Sequence, residues 1–108
     1  MINNKEFNER IKLKLKEIEQ LFDNKNAQYS TDNNPLQAFK TGALLLYGDD
    51  TYTAQYETLK AYMAKHIAHM YNNELNGPKV NESIMDVTTY NLIASVLYDL
   101  AEEKKQNV

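Results

Sequence analysis

The chain has very little with which to turn. Its 108 residues hold three glycines and two prolines, whereas an all-β fold needs a turn signal roughly every 8–12 residues. Between the few breaks, apolar side chains recur at spacings of three and four, the period of an amphipathic helix. The chain is therefore expected to be all-α, a single four-helix bundle-like domain. Helices are expected at about 4–24, 35–47, 51–74 and 81–104, with a polar loop at 24–34.

In the first segment Phe7, Ile11, Leu15, Ile18 and Phe22 fall on one stripe, read as the core side of helix one. Leu13 points away from that stripe and is a candidate subunit contact. Residues 24–34, NKNAQYSTDNN, are rich in side chains that compete with helix by bonding nearby backbone. Asn34 and Pro35 read as the N-cap and first position of helix two, and Gly48 as its stop. Leu36, Phe39, Ala43 and Leu46 form its inner stripe. Gly42 inside it reads either as close helix packing or as room for a ligand. Asp50, Thr51 or Thr53 caps helix three. Leu59, Met63, Ile67 and Met70 give that helix an apolar side, Tyr62, His66 and His69 an adjoining one, and Ala61, Ala64 and Ala68 a third. Apolar surface around so much of one helix favours a homo-oligomer.

Helix four carries the tension in the sequence. Asn81 reads as its cap. Asn81, Thr88, Asn91, Ser95, Asp99 and Glu102 cluster on one side, which marks the face toward water. Opposite lie Tyr90, Ile93 and Leu97, together with two carboxylates, Glu82 and Asp86. Glu82 has a structural explanation, because a carboxylate in a first turn is favoured by the helix dipole. Asp86 has none of that kind. A buried carboxylate must be paired, hydrogen-bonded or metal-bound, so Asp86 pairs with Lys25, Lys65 or a histidine, or holds a divalent cation with Glu82.

Composition narrows the function classes. The net charge of −3 argues against a duplex-DNA binder, which shows a basic patch. The absence of cysteine excludes disulfides, thiolate zinc sites and a cysteine nucleophile, and fits a cytoplasmic location. MINNKEFNERIK has no apolar core of a signal peptide. The longest apolar runs, such as 43–47, are far short of a membrane span, so no membrane association is expected. His66 and His69 are the only histidines, too few for a zinc cage of four. They read as a packed imidazole and one that meets a carboxylate or phosphate. Lys65 is either a solvated cation or a phosphate partner alongside Lys25. Of the eight tyrosines, most are expected in the core with the hydroxyl at its edge. Tyr29, in the polar segment, is placed to stack on a base.

The order of these residues carries a resemblance. Lys25-x-x-x-Tyr29, Phe39, Met63-Ala64-Lys65-His66 and Glu82-Ser83-x-x-Asp86-x-x-x-Tyr90 resemble the segments of the nucleotide modification associated domain family, small all-α proteins common in phages. That family is similar to the MazG-like nucleoside triphosphate pyrophosphohydrolases, which hold Mg²⁺ through E-x-x-E on one helix and E-x-x-D on another. This chain departs from the pattern: helix two has no E-x-x-E, helix four has E-x-x-x-D, and His69 stands where the family often has Arg.

The resemblance implies a phosphorylated nucleotide or nucleotide-derived ligand bound between helices. Lys25, Lys65, His66 and His69 would meet phosphate, and Tyr29 the base, with Tyr62 and Tyr90 beside them. Glu82 and Asp86 would hold Mg²⁺ or orient the lysines. Hydrolysis of a phosphoanhydride is the reaction expected of an enzyme built this way. Two other readings stand beside it: a non-catalytic protein that sequesters a nucleotide immune signal, as counter-defence proteins do, and an interaction module without a small ligand.

Overall fold

The structure, a computed structural model, describes residues 1–29 and 36–106, without the side chains of Gln28, Tyr29 and Gln106. It holds α1 (Asn4–Tyr29), α2 (Gln37–Tyr47), α3 (Tyr52–Tyr71) and α4 (Val80–Gln106), with no strand among the described residues. The all-α expectation is met. α1 opens on Asn3, whose carboxamide oxygen accepts from the Glu6 amide at 2.9 Å while its amide group reaches the Glu6 carboxylate at 3.5 Å. The first of these satisfies a helix-start amide that would otherwise lack a partner.

α1 is longer than its sequence suggested. Asn, Gln and Tyr at 24–29 continue the helix through Tyr29, so the polar loop does not begin at 24. Local side-chain competition was outweighed there by packing, since Lys25 and Asn26 are half-buried. The expected Asn34 cap and Pro35 start lie outside the described residues. α2 ends as expected: Gly48 adopts φ +75° and its amide bonds the Leu44 carbonyl. Thr51 caps α3, accepting from the Ala54 amide at 3.2 Å. Asp49 in turn accepts from the Thr51 hydroxyl at 2.8 Å and the Thr51 amide at 3.0 Å. The hydroxyl first, then the amide, hold the Asp49 carboxyl below its ordinary pKa. α3 ends at Tyr71 rather than near Glu74. Asn81 is not the cap of α4, which already includes Val80; Lys79 before it takes φ +60°.

α3 and α4 form the centre. Phe39, Leu59, Met63, Tyr90 and Leu97 make one buried cluster, with Leu36, Tyr52, Tyr62, Ile67, Val87 and Ile93 against it. α2 seats on α3 through Gly42: a Cβ there would meet Thr58 Cγ2 at 2.6 Å. The mid-helix glycine therefore serves close packing, not a ligand. The face assignment of α4 holds, since Thr88, Asn91, Ser95 and Asp99 are exposed while Asp86, Tyr90 and Leu97 are buried. Glu82, which is exposed, and Glu102, which is half-buried, are the exceptions.

The expected core stripe of α1 is corrected. Ile18 is buried and Phe22 half-buried, but Phe7, Ile11 and Leu15 remain 51%, 45% and 62% exposed. Among the described residues, Ile11 and Leu15 meet α4 only along one side of an open groove, so much of the stripe stays in water. Leu46 of α2 is likewise exposed rather than inward. The tyrosines are also less buried than expected: Tyr90 is in the core, whereas Tyr47, Tyr56, Tyr71 and Tyr98 are exposed. No helix is long and apolar enough to cross a membrane, among the described residues.

Candidate functional site

Asp86 is the node at which three helices meet. Its side chain is buried, and its two oxygens face different partners. Oδ1 lies 3.3 Å from the Lys25 Nζ of α1, and Oδ2 lies 3.4 Å from the His66 Nε2 of α3. His66 Nδ1 is in turn 3.4 Å from the Ser83 hydroxyl, one turn before Asp86 on α4. With the imidazole proton on Nε2, the ring donates to Asp86 and accepts from Ser83, a tautomer assigned from its partners. Asp86 thus has what a buried carboxylate requires. Lys25 is the partner expected of it, and His66 rather than Lys65 is the second.

Aromatic rings wall this network. The Lys25 ammonium stands 5.5 Å from the Tyr90 ring centre, within range of a cation–π attraction. His66 and Tyr90 lie 6.2 Å apart, Tyr62 and Tyr90 6.4 Å in an edge-on arrangement, and Phe39 and Tyr62 5.5 Å. The rings thus lead from the ion pair into the core. Beyond Phe39, a groove of about 320 Å³ opens between α1, α2 and α4. Phe22, Asn26, Leu36, Phe39, Ile93 and Leu100 are among its lining residues. Its volume falls in the range of small-molecule pockets, roughly 300–1,000 Å³.

Of the residues singled out from sequence, Lys25, Tyr62, His66, Asp86 and Tyr90 come together. Three others do not join them. Glu82 and Lys65 are exposed. His69 serves the α3–α4 connection: its Nε2–H donates to the Pro78 carbonyl at 2.7 Å, and its Nδ1 faces the Asn73 amide at 3.3 Å. The position of Tyr29 is one turn beyond Lys25 on α1, but its side chain lies outside the described residues. Ser83, Asn26 and Phe22 were not singled out as site residues. The burial of Ser83 was foreseeable from its place three residues before Asp86. The groove residues carried no signal beyond ordinary core patterning.

The arrangement limits the chemistry. Ser83, His66 and Asp86 have the linear order of a nucleophile, a base and an orienting acid. However, Ser83 is buried at 5% exposure between α3 and α4, and it does not line the groove beyond Phe39. A serine so enclosed does not reach an acyl group. Nor do the residues fit the expected Mg²⁺. Asp86 is engaged by Lys25 and His66, Glu82 faces water, and among the described residues no three His, Asp or Glu side chains gather as a metal cage.

Comparisons with protein-family models, with curated proteins and with solved structures return no match for this chain.

Proposed function

We propose that the protein binds a phosphorylated nucleotide or nucleotide-derived molecule and holds it without turnover. The observation that carries this reading is the adjacency of two unlike surfaces. Lys25 and Asn26 are consecutive on α1, the first in the ion-pair network and the second in the apolar groove. Phe39 likewise belongs both to the ring series and to the groove wall. A base fits the groove against Phe22 and Phe39, with the Asn26 carboxamide to read its edge. The phosphate lies toward Lys25, whose ammonium Asp86 orients, and His66. Retention is favoured over hydrolysis because the carboxylate set for a metal-assisted attack on phosphorus is incomplete. Sequestration of a nucleotide signal, the counter-defence role, is the biological form such retention takes.

The test is direct. The protein is incubated with mono-, di-, tri- and cyclic nucleotides, with and without Mg²⁺, and the ligand is recovered by chromatography after denaturation. Recovery of one class unchanged supports the proposal. Release of phosphate or pyrophosphate replaces retention with catalysis. No binding across the panel overturns the reading.

A further inference from the structure

We infer that α1 and the first half of α4 form a self-association face, and that its occupant is α1 of a second copy. The apolar stripe of α1 does not stop where the bundle stops. Ile18 and Phe22 pack on their own chain, and the same stripe continues through Leu15, Ile11 and Phe7 into water. A helical segment of roughly 12–15 residues is marginal in water without packing of its apolar face. Residues 4–17 are all exposed, so among the described residues the apolar face of the first half of α1 is left largely uncovered.

The surface area agrees. The chain exposes 8050 Å², against about 6,200 Å² for a compact monomer of its 12.5 kDa mass. Its radius of gyration is 16.3 Å, against about 13 Å for a compact domain of this length. A standard interface takes about 800 Å² from each partner. The whole-chain excess over a compact monomer is roughly 1,900 Å², and the exposed Phe7, Ile11 and Leu15 of α1 contribute to it.

The shape of the face selects a helix as its occupant. Ile11, Leu15 and Ile18 of α1 line a groove of about 310 Å³ with Ile84, Met85 and Thr88 of α4. A groove between two helices accepts the side-chain ridge of a third. In a two-fold dimer the same patch serves both copies. Each α1 lies in the other's groove, and the contact becomes a bundle of two α1 and two α4 helices. Phe7, beyond the groove on its own chain, then reaches the partner. This arrangement uses the stripe and not Leu13 alone.

The full chain is examined by light scattering after gel filtration and by sedimentation. A mass of about 25 kDa, twice 12.5 kDa, is expected at high micromolar concentration. Ile11→Glu and Leu15→Glu are expected to halve that mass. They should leave the α2–α4 bundle folded, because both side chains are exposed. Leu45→Glu, on another apolar patch, is the control and stays dimeric. Since the chain has no cysteine, Leu15→Cys offers a second readout: it forms a disulfide-linked dimer on oxidation, whereas Tyr71→Cys does not. A monomeric wild type overturns the inference, including one that floats with phosphatidylserine vesicles through the α1 face. So does a dimer that Leu45→Glu dissociates and the α1 variants leave intact.

Discussion

Lys25 and Asp86 face each other at 3.3 Å across the contact between the first helix and the last. Both are largely out of water, with 16% and 7% of their side-chain surface exposed. Such a pair has two separable roles, one in stability and one in recognition. Asp86→Asn or Lys25→Ala breaks this pair in a poorly solvated place. Each is expected to lower unfolding stability by about 2–4 kcal/mol, measured by urea denaturation.

The double variant Lys25→Met with Asp86→Leu removes both charges and keeps most of the volume. Replacing a buried ion pair by apolar side chains is often neutral or stabilising, so the double variant is expected to regain most of the loss. It is also expected to lose nucleotide binding at least tenfold, about 1.4 kcal/mol, by calorimetric titration. A stable double variant that still binds would remove Lys25 from the ligand site.

Gly42 allows α2 to approach α3 to within contact of Thr58. Gly42→Ala gains helix propensity of about 1 kcal/mol but forces a methyl against Thr58 Cγ2. Overpacking of this kind costs about 1–3 kcal/mol, so net destabilisation is expected in thermal melts. Thr58→Ser removes the offending methyl and keeps the hydroxyl that donates to the Ala54 carbonyl at 3.0 Å. In the double variant Gly42→Ala with Thr58→Ser, the two changes should compensate. Strict additivity would place the clash elsewhere.

The turn before α3 carries a pH-dependent contribution. Hydrogen bonds from Thr51 hold the Asp49 carboxyl below its ordinary pKa in the folded chain. A depressed folded value means the stabilisation is present above the unfolded pKa and fades as pH falls through the folded one, below about pH 4. Asp49→Asn should flatten that part of the stability–pH curve. Thr51→Ala should lower stability by about 1 kcal/mol at neutral pH through loss of the cap.

Lys79 takes a positive φ just before α4, a backbone region that costs a side-chain-bearing residue about 1 kcal/mol or more. Lys79→Gly relieves that strain while loosening the unfolded chain. A small rise in denaturation midpoint is expected, and a fall would show that the lysine side chain contributes there.

Helix count, the Gly48 stop, a cap of α3 among Asp50, Thr51 and Thr53, and the water-facing side of α4 were all legible in the sequence. Each depends on a local signal: a left-handed glycine, a hydroxyl at a helix start, a period of 3.6. That Asp86 is buried and paired was legible too, with Lys25 and a histidine among the partners offered, but the choice of Lys25 and His66 over Lys65 or a cation was not. The exposure of Phe7, Ile11 and Leu15 was not. Periodicity reports that a helix has an apolar face, but not whether the covering surface belongs to the same chain. The end of α1 was misplaced because the two asparagines at 24 and 26 were weighed above the good helix formers Lys25, Ala27 and Gln28 beside them, and the packing of Lys25 and Asn26 is not a local signal. Glu82 faced the wrong way by inference because one stripe drawn along α4 was extended a turn too far. Nothing in the local pattern marked Phe22 and Asn26 as groove residues, because a groove is a property of three helices at once.

The join between Lys25 and Asp86 has a kinetic side. The turns from α2 to α3 and from α3 to α4 bring sequence neighbours together, whereas α1 docks on a helix at the other end of the chain. Contacts between distant segments are late and costly to form. α1 is therefore the segment expected to detach before the rest unfolds, as a local opening seen by hydrogen exchange. Because Lys25, Phe22 and Asn26 all ride on it, each detachment dismantles the proposed ligand site. Affinity is then scaled by the fraction of molecules in which α1 is docked, and whatever seats that helix also sets how tightly the ligand is held.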